Sequence, residues 1–139
     1  MNILIKTAAP AAVALMLAAI AAPALAATGP TFSAAKPWSG MSIDSFGPDV
    51  AIFNKAEIGE LLHAKSVSVV KLDTAWNDGD DASTAFEAVG NSDQAINLLR
   101  EALKANPMAE RLLARNHVNI NTVVDITDLG NGNVQLYVS

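Results

Sequence analysis

The chain has 139 residues, no cysteine and a net charge of −5 at neutral pH. The lack of cysteine excludes disulfide bonds, thiol catalysis and zinc sites of the cysteine type. Nucleic acids and anionic membrane surfaces are disfavoured as partners, because proteins bind both through basic surfaces.

Residues 1–26 have the three-part pattern of a secretory signal peptide. Lys6 supplies a positive start, residues 8–20 are apolar, and the small residues at 24–26 follow the helix-breaking Pro23. A membrane anchor is the competing interpretation, but the apolar run is mostly alanine and ends in a good cleavage site. We therefore predict a cleaved signal peptide, a periplasmic or secreted bacterial protein, and no stable membrane span after cleavage.

The remaining 113 residues suit one small domain. Residues 27–49 are rich in Gly, Pro, Ser and Ala and show no sustained periodicity. Such a composition predicts a flexible N-terminal arm, which leaves residues 50–139 as a single domain.

Within that domain, segments whose apolar residues recur with the period of a helix and segments whose apolar residues recur with the period of a strand follow one another. Asn54 and Glu57 have nearly the spacing of a capping box, and Asn131-Gly132 between two alternating runs is a hairpin signal. Apolar residues on both faces of residues 67–72 indicate an inner strand. We predict helices over 54–64, 82–90, 92–106 and 108–116, and strands over 67–72, 118–127 and 134–138.

This order of elements predicts an α+β fold. We expect a small, mainly antiparallel sheet, built from one inner strand and the C-terminal hairpin, with three or four short helices on one face. The second face of the hairpin is polar and is expected to meet water.

The net charge is concentrated in residues 72–99, which hold six acids and no Lys or Arg. An EF-hand loop does not fit, because both possible registers place Trp76 at a ligand position. Turn and helix-capping chemistry accounts for the acids better, with Asp80 or Asp81 as the cap of a helix that begins near Ala82. A weak divalent-ion site remains the alternative, with four candidate ligands: Asp73, Asp78, Asp80 and Asp81.

Other candidate residues lack a diagnostic motif. His63 and His117 have no second ligand at metal-binding spacing, and the S-x-x-K at residues 33–36 lacks its companion motifs. We therefore expect no enzyme activity and no cofactor. A basic strip at four-residue spacing is a candidate contact surface for the acidic segment, within the molecule or on a second copy: Arg100, Lys104, Arg111 and Arg115.

The sequence thus favours a small exported, non-catalytic protein that acts by protein–protein contact in the cell envelope. Its partner would be another protein or a second copy, recruited for example by strand addition at a sheet edge. The alternative is a weak divalent-ion or small-ligand binding protein that uses the acidic residues 73–81.

Overall fold

A computed structural model describes residues 29–139, so the predicted signal peptide lies outside the described residues. Over this range the chain is an α+β fold, as predicted, with five α-helices and a four-stranded sheet. None of the described helices has the length and apolar content needed to cross a membrane. The elements are β1 (Thr31–Ala34), α1 (Ile43–Val50), α2 (Ala56–His63), β2 (Ser66–Lys71), α3 (Gly79–Gly90), α4 (Asp93–Ala105), α5 (Pro107–Arg115), β3 (Val123–Gly130) and β4 (Asn133–Val138), with 3₁₀ turns at Leu72–Thr74 and Ile120–Thr122.

The sheet is mixed rather than mainly antiparallel, with the strand order β1-β2-β4-β3. β1 pairs with β2 and β2 pairs with β4 in parallel, and only β3 and β4 are antiparallel. Parallel neighbours need a long crossover, and helices α3, α4 and α5 lie in the connection from β2 to the hairpin. The sequence predicted β2 as an inner strand, but its neighbours depend on how this crossover packs.

The predicted hairpin is present, with Asn131 and Gly132 as its two loop residues. Both have positive φ, 56° and 80°, as a two-residue primed turn requires. The carbonyl of Gly132 accepts hydrogen bonds from the backbone N–H groups of Lys65 at 2.7 Å and Ser66 at 3.1 Å. These bonds hold the turn against the start of β2, so the hairpin is inserted into the sheet with β4 in its interior.

Two hydrophobic clusters occupy opposite faces of the sheet, as the alternation of side chains along β4 requires. Leu136 packs in the larger cluster with residues of α2, α4 and α5. Its neighbour Tyr137 packs in the smaller cluster with Phe46 of α1 and Ala85 of α3. Helices therefore contribute on both faces, whereas the sequence predicted helices on one face and water on the other.

Residues 31–49 are part of the fold, so the prediction of a flexible arm was wrong for them. β1 pairs with β2, and α1 buries Phe46 completely and Val50 almost completely. The segment between them is anchored at Met41, whose N–H donates to the Tyr137 hydroxyl at 2.7 Å and whose carbonyl accepts from the Trp76 indole at 2.8 Å. These partners are far along the chain, which is why local composition did not reveal the anchoring.

Candidate binding groove

The acidic residues singled out in the sequence have local structural roles. Oδ1 of Asp78 accepts a hydrogen bond from the N–H of Asp80 at 2.8 Å and so caps α3. Asp80 and Asp81 lie in the first turn of α3, where acids meet the positive end of the helix dipole. Turn and capping chemistry is therefore confirmed, but the cap is Asp78 and the helix begins at Gly79. Asp73 is exposed in a 3₁₀ turn.

Within residues 29–139, no group of three or more His, Asp or Glu side chains is arranged to hold a metal ion. Nδ1 of His63 lies 2.8 Å from the carbonyl of Gly59 in its own helix. His117 is exposed just after α5, with a φ of 59°. The two histidines thus have separate local environments.

The predicted basic strip is divided between two environments. Nε of Arg100 donates to the carbonyl of Val123 at 2.8 Å and ties α4 to the start of β3. Partial burial lowers the pKa of Arg100, and Asp93 opposes that shift. Asp93 belongs to the acidic segment, and its charge acts on the pKa of Arg100. The other three residues of the strip are exposed: Lys104, Arg111 and Arg115.

A different acidic feature emerges only in three dimensions. A groove of about 800 Å³ lies between α1, the start of α2 and the outer strand β3. Its walls combine apolar side chains, such as Met41 and Ile126, with acidic ones. We call this surface the acidic groove; four carboxylates line it, Asp49, Glu57, Glu60 and Asp128, and Asp125 is buried next to them.

Local sequence signals position the carboxylate of Glu57. The backbone N–H of Asn54 donates to Oε1 of Glu57 at 3.0 Å, and Oδ1 of Asn54 accepts from the N–H of Ala56 at 3.0 Å. This reciprocal arrangement at the start of α2 confirms the capping signal. Glu60 follows three residues later and lies on the same side of the helix.

Asp125 is brought to the groove by an irregularity of β3. The register between β3 and β4 shifts between Val123 and Asp125, and both residues are buried. Oδ2 of Asp125 accepts from the Thr127 hydroxyl at 2.9 Å, and that hydroxyl also lies 3.0 Å from Oδ2 of Asp49. Thr127 thus connects a buried carboxyl group with one on the groove wall.

The pKa of three carboxyl groups at the groove is raised, those of Glu57, Glu60 and Asp125. Burial raises the pKa of Glu57 to about 7, with further contributions from Asp49 and Glu60 against the opposing hydrogen bond from Asn54. Burial and the charge of Asp49 raise the pKa of Asp125 to about 7, and the Thr127 hydrogen bond opposes them.

Burial also raises the pKa of Glu60, and Asp128 and Asp49 add to the shift. Every charged group that acts on the pKa of Glu57, Glu60 or Asp125 is therefore another acid. Ionisation of these groups at neutral pH is opposed by burial and by mutual repulsion, and the attraction of a bound cation offsets both costs. Clusters of carboxyl groups with raised pKa values are typical of functional sites.

A buried hydrogen-bond network supports one rim of the groove. The Tyr137 hydroxyl donates to Oε1 of Gln135 at 2.6 Å, and Nε2 of Gln135 donates to the carbonyl of Ser39 at 2.8 Å. Together with the bond from Met41 to Tyr137, this network fixes residues 39–41 beside the acidic side chains. Burial raises the pKa of Tyr137 to about 12, so its hydroxyl stays protonated and donates throughout the physiological range.

No family model, curated protein or solved structure matches this chain. The function must therefore be inferred from the groove itself. Sequence reasoning missed the groove because its acids lie on three separate elements, and only the capping pair of Asn54 and Glu57 produced a local signal.

Proposed function

We propose that this protein is exported and acts without catalysis, by binding a basic segment of another protein of the cell envelope in the acidic groove. The observation that carries this proposal is that the charged side chains lining the groove in the described part of the chain are four carboxylates, with Asp125 buried next to them. A basic side chain placed in the groove relieves their repulsion and gains charge complementarity. Export is supported by the signal pattern of residues 1–26.

The shape of the groove favours a polypeptide segment over a single ion. Its acids come from three elements, α1, α2 and β3, and among residues 29–139 no three of them are arranged to hold one metal ion. Apolar side chains, including Met41, Pro48 and Ile52, line the same groove. A segment that carries several Lys or Arg residues has both the separated charges and the aliphatic stems to match such a surface.

A titration with a fluorescently labelled oligolysine peptide tests the proposal. We expect binding at low ionic strength that weakens as salt is added, because the attraction is electrostatic. The double variant Glu57→Gln with Glu60→Gln removes two charges from the groove and is expected to lower the affinity about tenfold. Fluorescence anisotropy measures the dissociation constants.

Two matched double variants test whether binding depends on the groove or only on the net charge of the protein. Glu87→Gln with Glu101→Gln removes two exposed acids outside the groove, and it is expected to change the affinity less than about twofold. Asp80→Asn with Asp81→Asn tests the acidic segment that the sequence suggested. The proposal is wrong if all three double variants weaken binding equally, or if only the variant at residues 80 and 81 does so.

A further inference from the structure

Ile52 separates two depressions of different chemistry. Its side chain is 69 % exposed and lines the acidic groove on one side. On the other side it lines a second depression of about 350 Å³, between the loop after α1 and the start of α4. We call this second depression the neutral notch; its lining includes Ile52, Phe53, Asn91, Ser92, Ala95 and Leu98.

The neutral notch is suited to an uncharged group. Among the described residues, no charged side chain lines it, whereas four carboxylates line the groove on the other side of Ile52. Leu98 is 46 % exposed although it lies on a helix whose other leucines are buried, and it faces the notch beside half-buried Phe53. Exposed leucine and isoleucine around a concavity favour contact with an apolar side chain.

Ser92 adds a hydrogen-bonding group at the edge of the notch. The residue is only 7 % exposed and precedes α4 as its N-cap. Its hydroxyl forms no capping hydrogen bond with this helix. The hydroxyl is thus available to the backbone or side chain of a bound segment.

We propose that the segment bound by this protein is amphipathic, with basic side chains in the acidic groove and an apolar side chain in the neutral notch across Ile52. This inference rests on the proposed function and specifies the partner that it requires. The carboxylates of the acidic groove favour basic side chains by charge complementarity. The described lining of the neutral notch carries no charge and favours an apolar side chain. Because Ile52 belongs to both surfaces, one continuous segment reaches both sites.

Two labelled peptides test this inference, one with alternating Lys and Gly residues and one with alternating Lys and Leu residues. Both carry the same charge, but only the second supplies apolar side chains. We expect the protein to bind the Lys-Leu peptide about tenfold more tightly. Leu98→Asn is expected to reduce that preference to less than about threefold and to leave the affinity for the Lys-Gly peptide unchanged.

Met108→Asn is the matched control, because Met108 is also exposed, at 62 %, but lies on α5 outside both depressions. We expect the control to keep the full preference, and thermal melts confirm that both variants are folded. Equal affinity for the two peptides, or equal loss of preference in both variants, overturns the inference but leaves the proposed function intact. If neither peptide binds, the proposed function itself fails.

Discussion

Asp49 and Asp125 contact the same hydroxyl group, that of Thr127, through their Oδ2 atoms at 3.0 and 2.9 Å. A hydroxyl group has one hydrogen and can donate it fully to only one of two carboxylates. A proton on one carboxyl group satisfies the second contact, which agrees with the pKa of about 7 for Asp125. The pair therefore links the buried interior of the sheet to the protonation state of the acidic groove.

This linkage predicts that the protein is more stable in mild acid than in mild base. The pKa of Asp125 and Glu57 is raised on folding, so the folded protein binds more protons than the unfolded chain between about pH 4 and pH 7. The stabilisation is complete below the unfolded pKa values and is lost as the pH rises through about 7. We expect the free energy of unfolding in urea to be roughly 1–3 kcal/mol higher at pH 5 than at pH 8.

The variant Asp125→Asn isolates the contribution of Asp125, because its amide resembles the protonated carboxyl and does not ionise. Its stability is expected to vary less between pH 5 and pH 8 than that of the wild type, with Glu57 as the remaining titrating group. Asp73→Asn replaces an exposed aspartate in a 3₁₀ turn and should retain the pH dependence of the wild type. A pH dependence in Asp125→Asn as steep as that of the wild type would contradict the assignment to Asp125.

Binding of a basic peptide is expected to release protons near pH 7. The cation favours the ionised carboxylates, so it lowers the pKa of Glu57 and Asp125, and the affinity should be higher at pH 8 than at pH 6. The acids at the groove are Asp49 of α1, Glu57 and Glu60 of α2, and Asp125 and Asp128 of β3. Protonated Tyr137 of β4 lies close enough to Asp125 and Asp49 for their charges to act on its pKa.

Calorimetry with oligolysine in buffers of different ionisation enthalpy counts the released protons. Glu57→Gln removes one titrating group and is expected to release fewer of them. Glu87→Gln, outside the groove, should release as many as the wild type. Binding heats that do not depend on the buffer would show that the raised pKa values are not coupled to the ligand.

Loss of the Tyr137 hydroxyl is expected to loosen the rim of the groove. Tyr137→Phe leaves the N–H of Met41 without its acceptor and removes a donor from Gln135. An unsatisfied buried group costs about 1–3 kcal/mol, so we expect a loss of stability of that order. Hydrogen exchange should show faster exchange at the Met41 amide.

The matched control is Ser39→Ala, which removes an exposed hydrogen bond from the Ser39 hydroxyl to the carbonyl of Lys36. It is expected to cost less than about 0.5 kcal/mol. Similar effects of the two variants would show that the buried network does not hold the rim.

Alanine substitutions at two glycines of the hairpin distinguish the cost of backbone strain from the cost of steric contact. Gly130 and Gly132 both have positive φ, 86° and 80°. A Cβ on Gly130 meets nothing within 4 Å, whereas one on Gly132 lies 2.8 Å from Cγ of Lys65. Both alanine variants should lose about 1 kcal/mol through backbone strain, and Gly132→Ala should lose more.

Urea unfolding measures both variants, and Lys65→Ala combined with Gly132→Ala is the control. Shortening Lys65 removes the contacts with Cγ and Cδ and leaves one with Cβ at 3.2 Å, so we expect the cost of the alanine at 132 to fall towards that of the alanine at 130. Equal costs for the two single variants would mean that the lysine side chain moves away freely.

The local elements of this protein were determined by the sequence itself. The Asn131-Gly132 turn, the Asn54–Glu57 capping pair and the apolar stripe of α4 each depend on residues a few positions apart. Backbone preference and helical period act over that range, so such elements are predictable from neighbours in the chain.

Tertiary structure alone decided the parallel pairing of β2 with β4, the ordering of residues 31–50 and the acidic groove. The apolar residues of β2 specify that it is buried but not which strand lies beside it. Phe46 becomes part of the core only against Trp76 and Tyr137, with ring centroids 5.0 and 5.2 Å away. The carboxyl groups of Asp49, Glu57 and Asp125 converge because burial of these apolar faces outweighs the repulsion between them, and that balance exists only in the folded chain.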